Sequence, residues 1–158
     1  MMKRVKAGDS AAMVNMGLRL CEEGDHERAF EYLTKAAELG DMKAHNQLGV
    51  MYDRGEGVEM DEGKAVYYWE KAAIIGDPDA RHNLGYIEER NGRMDRAVKH
   101  FIIAANLGLK GSMKVLWQYY KKGHISKKDL DATLRTHQAA VDAMKSPQRE
   151  AAAAARRE

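Results

Sequence analysis

The sequence predicts an all-α fold, a right-handed α-solenoid in which antiparallel helix pairs stack in about four repeats. The first supporting observation is internal repetition, since Gly8, Gly40, Gly76 and Gly108 recur at steps of 32, 36 and 32 residues. The second is the helical spacing of apolar residues within each repeat, and the third is that the sequence lacks strand-like alternation. A chain of 158 residues suits one such domain.

Each repeat is predicted to contain a helix A, a turn and a helix B. In the second repeat, apolar spacing places helix A at about residues 42–54 and helix B at about residues 62–75. An aspartate precedes helix A in three repeats, where its carboxylate can accept hydrogen bonds from the first backbone N–H groups. The predicted N-caps are Asp9, Asp41 and Asp77.

A glycine also recurs in the middle of helix A, nine residues after the glycine that opens the repeat, at Gly17, Gly49 and Gly85. Each such glycine costs about 1 kcal/mol in helix propensity. Three such costs at one position indicate a shared packing reason. We therefore expect helix B to approach helix A too closely to admit a Cβ atom.

The predicted layout has three parts. Residues 1–8 resemble the end of a helix B from a preceding repeat, residues 9–145 form the solenoid, and residues 146–158 form a polar, Ala-rich tail. The tail is expected to begin with a helix break at Pro147. The four predicted repeats are residues 9–40, 41–76, 77–108 and 109–145.

The second repeat resembles a Sel1-like repeat (SLR) of the tetratricopeptide-like superfamily (TPR-like). The matching positions are Leu48, Gly49, Tyr52, Gly55, Gly57, Val58, Asp61, Lys64, Ala65 and Trp69 to Ala73. The first and third repeats resemble it with a turn shorter by four residues, and the fourth keeps the pattern weakly. The resemblance implies a non-catalytic scaffold or adaptor for protein binding. The layout also resembles the C-terminal repeat array of larger proteins that carry a Cys-rich zinc module.

Catalytic and metal motifs are missing from the sequence, which contains no HExxH, CxxC or nucleophile elbow. The six histidines are scattered, and Cys21 alone cannot build a thiolate zinc site. We therefore predict that the chain is not an enzyme and takes no cofactor and no metal. A single cysteine and the lack of any apolar run near twenty residues predict an intracellular, cytoplasmic chain with no membrane span.

Charge is unevenly distributed along the chain. Residues 1–108 carry 15 basic and 19 acidic side chains, net −4, and residues 109–158 carry 11 and 5, net +6. A basic C-terminal part next to Trp117, Tyr119 and Tyr120 supports an alternative function, nucleic-acid or ribonucleoprotein association. The alternative is less favoured because the whole chain is only +2, and because Trp117 and Tyr120 are expected to close the core of the fourth repeat. The basic residues concerned are Lys114, Lys121, Lys122, Lys127, Lys128 and Arg135.

By resemblance to tetratricopeptide arrays, the A helices should line a concave groove that binds a peptide or partner protein. Four positions of each helix A are expected to face it. The groove suits an extended peptide with an apolar anchor and acidic residues at one end, with Tyr86 as the aromatic contact. The predicted groove residues are Asn46, Val50, Asp53, Arg54, His82, Tyr86, Glu89, Arg90, Lys114, Gln118, Lys121 and Lys122.

Overall fold

The computed structural model describes residues 7–157, and within that range it contains eight α-helices and no strand. The predicted all-α fold of antiparallel helix pairs is confirmed. Residues 1–6, which hold most of the predicted end of a preceding helix, lie outside the described residues. The helices are α1 (Ala7–Glu22), α2 (His26–Glu38), α3 (Met42–Arg54), α4 (Glu62–Ile75), α5 (Pro78–Arg90), α6 (Met94–Asn106), α7 (Lys110–Lys121) and α8 (Lys127–Arg156).

The chain divides into two compact units after Ala80, which we call the N-terminal unit and the C-terminal unit. The N-terminal unit contains α1 to α4 and the first turn of α5. Its α3 and α4 have the bounds that the apolar spacing predicts for helices A and B of the second repeat. Its main core cluster consists of Val14, Leu20, Ala29, Leu33, Ala36, Ala44, Leu48 and Met51.

Aspartates cap the helices of the N-terminal unit, with one exception to the prediction. The Asp41 carboxylate accepts a hydrogen bond from the Ala44 amide at 3.1 Å, and Asp61 accepts one from Lys64 at 3.1 Å. Asp9 is not an N-cap, because α1 already begins at Ala7. Its carboxylate lies in the first turn, where the positive end of the helix dipole still favours negative charge.

The mid-helix glycines mark contacts between the helices of a pair, as predicted. A Cβ atom on Gly49 would lie 2.4 Å from Nε1 of Trp69, and one on Gly17 would lie 2.7 Å from Cγ of Leu33. No side chain fits at such distances, so each glycine allows helix B to lie directly against helix A. Trp69 is only 3% exposed, and its indole N–H donates to the Asn46 carbonyl at 3.1 Å.

The C-terminal unit contains the remainder of α5, α6, α7 and the long helix α8. A Cβ atom on Gly85 would lie 2.8 Å from the ring of Phe101, so α5 and α6 also meet at a glycine. Helix α8 follows the N-cap Ser126, whose hydroxyl accepts a hydrogen bond from the Asp129 amide at 3.1 Å. The core of this unit consists of Ala97, Val98, Phe101, Ala105, Met113, Val115, Leu116, Tyr119, Ile125 and Leu130.

The expected helix break at Pro147 is absent, because α8 continues through it to Arg156. Proline removes one N–H donor and leaves the carbonyl four residues earlier, at Ala143, without its helical partner. Ala143 and Pro147 are exposed, so water can hydrogen-bond that carbonyl. The five alanines beyond Pro147 then favour continued helix.

Candidate partner-binding surface

The twelve predicted groove residues lie on or directly after three A helices. Asn46, Val50, Asp53 and Arg54 belong to α3 in the N-terminal unit. The other eight belong to the C-terminal unit, four on α5 and four on or just after α7. On α3, Arg54 is exposed and its guanidinium lies 3.9 Å from the Glu56 carboxylate, and the other three are half-buried.

On α5 the structure separates residues that hold the fold from a residue that faces solvent. The His82 imidazole shares a hydrogen bond of 2.7 Å with the Ser112 hydroxyl on α7. Its ring contacts Phe101 edge-on, with centroids 5.0 Å apart. The Glu89 carboxylate accepts a hydrogen bond of 2.7 Å from the Tyr119 hydroxyl. His82 and Glu89 therefore tie α5 to α7.

Tyr86 is the aromatic side chain that α5 presents to solvent, at 46% exposed. Its ring makes edge contacts with His82 and Phe101, with centroid distances of 4.8 and 5.2 Å. Two perpendicular neighbours restrict its rotamer, so the exposed ring is held in place. Because Tyr86 packs on Phe101, a Tyr86→Ala change would also remove contacts within the C-terminal unit.

Helix α7 supplies the positive charge of this surface. The segment 109–128 contains six lysines and no acidic residue. Lys114, Gln118, Lys121 and Lys122 are all exposed. In the part of the chain that the structure describes, none of these three lysines forms an ion pair. Their charge is available to an acidic ligand.

Two aromatic residues of α7 are placed differently from the prediction. Trp117 and Tyr120 were expected to close the core, but they are 44% and 38% exposed, and Tyr119 and Leu116 are buried instead. Trp117 occupies the position where the three earlier A helices carry glycine. An indole cannot occupy the narrow contact that a glycine permits, so it turns outward and its neighbours fill the core. The substituted glycine was the signal in the sequence that could have predicted this exposed pair.

The histidines serve the fold in several places. His45 is buried and donates from Nδ1 to the Asp41 carbonyl at 2.7 Å, and His137 donates from Nδ1 to the Ala105 carbonyl at 2.8 Å. Among residues 7–157, no three His, Cys, Asp or Glu side chains are grouped closely enough to hold a metal ion. Burial raises the pKa of the Cys21 thiol, which makes the reactive thiolate scarcer.

Burial, followed by the Glu89 contact, raises the pKa of Tyr119 above the usual tyrosine range. The neutral phenol is therefore the form that stabilises the fold, and its contribution is complete below the unfolded pKa of about 10 and is lost at higher pH. We expect Tyr119→Phe to flatten the loss of unfolding free energy above about pH 10, measured by urea denaturation. Tyr120→Phe, at the exposed neighbouring tyrosine, is the control. Equal flattening by both variants would contradict this role of Tyr119.

Comparison with known proteins agrees with the helical repeats described above. A family profile described as Sel1 repeat matches residues 10–41, 43–77 and 78–109, and no curated protein sequence matches the chain. Within residues 7–157, no helix combines the length and apolar composition that crossing a bilayer requires. The fourth predicted repeat lies beyond the matched residues and stays a prediction.

Two solved structures are similar to the chain. One is a protective antigen of uropathogenic Escherichia coli strains that displays an SLR fold. It is 27% identical with a TM-score of 0.69, and the match covers 84% of this chain and 31% of the antigen. The other is a Sel1 repeat protein from Oxalobacter formigenes, also 27% identical with a TM-score of 0.69, matched over 89% of this chain and 61% of that one. The chain thus spans less than two thirds of either protein.

Proposed function

Because the chain belongs to the Sel1 repeat family, whose members typically mediate protein–protein interaction, we propose that it is a non-catalytic scaffold or adaptor. Its partner is a peptide or an extended segment of another protein. The proposed contact surface is the A-helix face of the C-terminal unit, formed by Tyr86 of α5 and the exposed polar side chains of α7. The α3 residues of the predicted groove are proposed as further contacts.

The rigid exposed ring of Tyr86 is the observation that carries this proposal. Its perpendicular contacts with His82 and Phe101 fix the ring before any partner arrives. A preorganised aromatic anchor loses little conformational entropy on binding, and tyrosine is enriched among the residues that dominate interface energies. Tyr86 therefore suits an apolar side chain of the partner.

The lysines of α7 define which partner fits next to that anchor. Lys114, Lys121 and Lys122 would attract carboxylates at one end of the bound segment, and the Gln118 amide could pair with its backbone. His82 and Glu89 contribute through the bonds that orient α5 against α7. The proposed ligand is an extended peptide with an apolar anchor and acidic residues at one end. The proposed compartment is the cytoplasm.

Photo-crosslinking from Tyr86 tests the proposal. A benzophenone-bearing phenylalanine analogue in place of Tyr86 should give partner adducts in cells, because the partner would lie directly on that ring. The same analogue in place of Tyr67, a tyrosine of α4 that is 50% exposed, is the matched control and should give none. Adducts at position 86 should fall about tenfold in Lys122→Glu if charge attracts the partner.

Two outcomes would contradict the proposal. If the yield of adducts from position 67 equals that from position 86, the partner does not bind specifically at Tyr86 and also contacts a B helix. Adducts from position 86 that are unaffected by Lys122→Glu would remove the acidic end from the ligand. Lys99→Glu, an equal charge change at an exposed position of α6, controls for the change in net charge.

Nucleic-acid association is the second candidate function, and the exposure of Trp117 and Tyr120 favours it, because exposed rings near lysines can stack on bases. The protein-binding function has more support, because members of the Sel1 repeat family typically bind proteins and because the net charge of the chain is only +2. Titration of single-stranded RNA at about 50 mM salt separates the two functions, since no binding there would eliminate the RNA candidate.

A further inference from the structure

A second exposed surface lies on the flank of α7 that faces away from α5, next to the lysines of the proposed groove. Ser112 and Tyr119 face α5, because they bond His82 and Glu89. Trp117 is two residues from Tyr119, and two steps of about 100° amount to about 200°. Measured the shorter way around the helix, the two side chains are therefore about 160° apart. The indole therefore points away from α5, on the flank that we call the aromatic flank: Lys110, Trp117, Tyr120 and Lys121.

The two rings of the aromatic flank form one apolar contact surface. The ring centroids of Trp117 and Tyr120 are 6.5 Å apart and their planes are nearly perpendicular, at 83°. Exposed apolar side chains that occur singly need no explanation, but adjacent aromatic rings are typical of binding surfaces. Tryptophan and tyrosine are also the residues on which binding energy concentrates.

The charge around these rings determines which ligand is complementary. Lys110 lies two turns before Trp117 on this flank, and Lys121 lies one turn after it, and both are exposed. Since segment 109–128 has no acidic residue, no carboxylate from it competes for these lysines. From residue 110 to 121 the helix rises about 16 Å, a length that about five extended residues would cover.

We propose that the aromatic flank is a second docking site, which binds a short acidic segment of a partner protein through a bulky apolar side chain seated on Trp117 and Tyr120. The carboxylates of the segment pair with Lys110, Lys114 and Lys121. The indole N–H of Trp117 is a donor for a carbonyl or carboxylate of the segment. The site shares Lys114 and Lys121 with the proposed groove, but its apolar contact is Trp117 and Tyr120 and not Tyr86, so it can exist even if Tyr86 binds no partner.

Tryptophan fluorescence of the purified chain gives a direct readout. The chain has two tryptophans, and only Trp117 is open to acrylamide, since Trp69 is 3% exposed. The first probe is an eight-residue peptide of Asp and Glu with Phe and Leu at its centre. The second is the same peptide with Ser and Gly at its centre, and the third is an oligouridylate of equal charge. The first probe should shield Trp117 from acrylamide and bind about tenfold tighter than the other two.

Variants separate this site from the groove. Tyr120→Ser should weaken binding of the Phe-Leu peptide about tenfold, to the level of the Ser-Gly peptide. Trp117→Ser should do the same, measured by anisotropy of a labelled peptide. Tyr67→Ser, at another exposed tyrosine that contacts a lysine, Lys71, is the matched control and should change nothing. Tyr86→Phe, in the groove, should also leave binding unchanged.

Several results would overturn the proposal. Equal affinity for the two peptides would reduce the site to charge alone, and tighter binding of the oligouridylate would make it a nucleic-acid surface. A doubling of mass without peptide that Trp117→Ser abolishes would identify a second copy of the chain as the occupant. Absence of peptide binding, with Trp117 still quenched by acrylamide, would show that no acidic segment docks there.

Discussion

Replacing Gly49 with Leu is expected to lower the free energy of unfolding by about 3 kcal/mol or more. The first side-chain atom alone would lie 2.4 Å from the Trp69 indole, so the ring must move. Trp69 is buried, and displacing it breaks its hydrogen bond to the Asn46 carbonyl and leaves the indole N–H without a partner. Gly85→Leu should be similarly destabilising in the C-terminal unit, where the clash is with Phe101.

Urea denaturation followed by circular dichroism measures this effect, and two other helical glycines provide controls. A Cβ atom on Gly111 would lie 3.7 Å from its nearest neighbour, which is ordinary contact, and one on Gly63 would meet only the Asp61 carboxylate at 3.3 Å. Gly111→Ala should therefore leave stability unchanged or slightly raised. Gly63→Ala should change it by less than about 1 kcal/mol, because only the Asp61 carboxylate, which caps α4, must shift. A loss at these sites equal to that at Gly49 would mean that the periodic glycines have no special packing role.

The fold was predictable because its main determinants are local and repeated. The bounds of α3 and α4 follow from apolar spacing, and the predicted cap Asp41 acts within one helical turn of the residue it caps. The close approach at Gly49 was predictable because a glycine inside a helix has a cost that only packing offsets. Repetition across three repeats made each of these inferences stronger than a single occurrence would.

The candidate surface was less predictable, because exposure depends on contacts between helices. Position within a repeat identified Tyr86, but it could not show that His82 and Glu89 are engaged by Ser112 and Tyr119 of the next helix A. These contacts join residues about thirty positions apart, and the partner residues carry no motif.

The outward turn of Trp117 is the clearest departure from the repeat pattern. The three earlier repeats carry a glycine at this position of helix A, in contact with helix B, so the pattern predicts a buried residue. The volume of an indole prevents burial there. Side-chain volume at a repeat position is therefore as informative as the position itself. Pro147 is a second position whose structure the sequence pattern alone did not predict. The cost of proline in a helix depends on whether water reaches the carbonyl that it leaves without a partner.

Phe101→Ala is expected to cost about 3–5 kcal/mol, the usual range for removing a buried phenylalanine. The ring is fully buried and makes edge contacts with His82, Tyr86 and Tyr119, at centroid distances of 5.0, 5.2 and 5.6 Å. Its removal opens a cavity beneath the anchor ring of the proposed groove. Denaturation with urea measures the stability, and the crosslinking yield from position 86 measures whether the anchor keeps its place.

The second phenylalanine of the chain is the matched control for this change. Phe30, in the N-terminal unit, is half-buried and has one edge contact, with Tyr52 at 5.9 Å. Phe30→Ala should cost less than half as much and leave the crosslinking yield from position 86 unchanged. Phe101→Leu refills part of the cavity without restoring the aromatic contacts. Compared with Phe101→Ala, it should therefore restore more of the unfolding free energy than of the crosslinking yield. If Phe101→Leu recovers both equally, cavity volume alone accounts for the role of this ring, and its aromatic edges do not orient Tyr86.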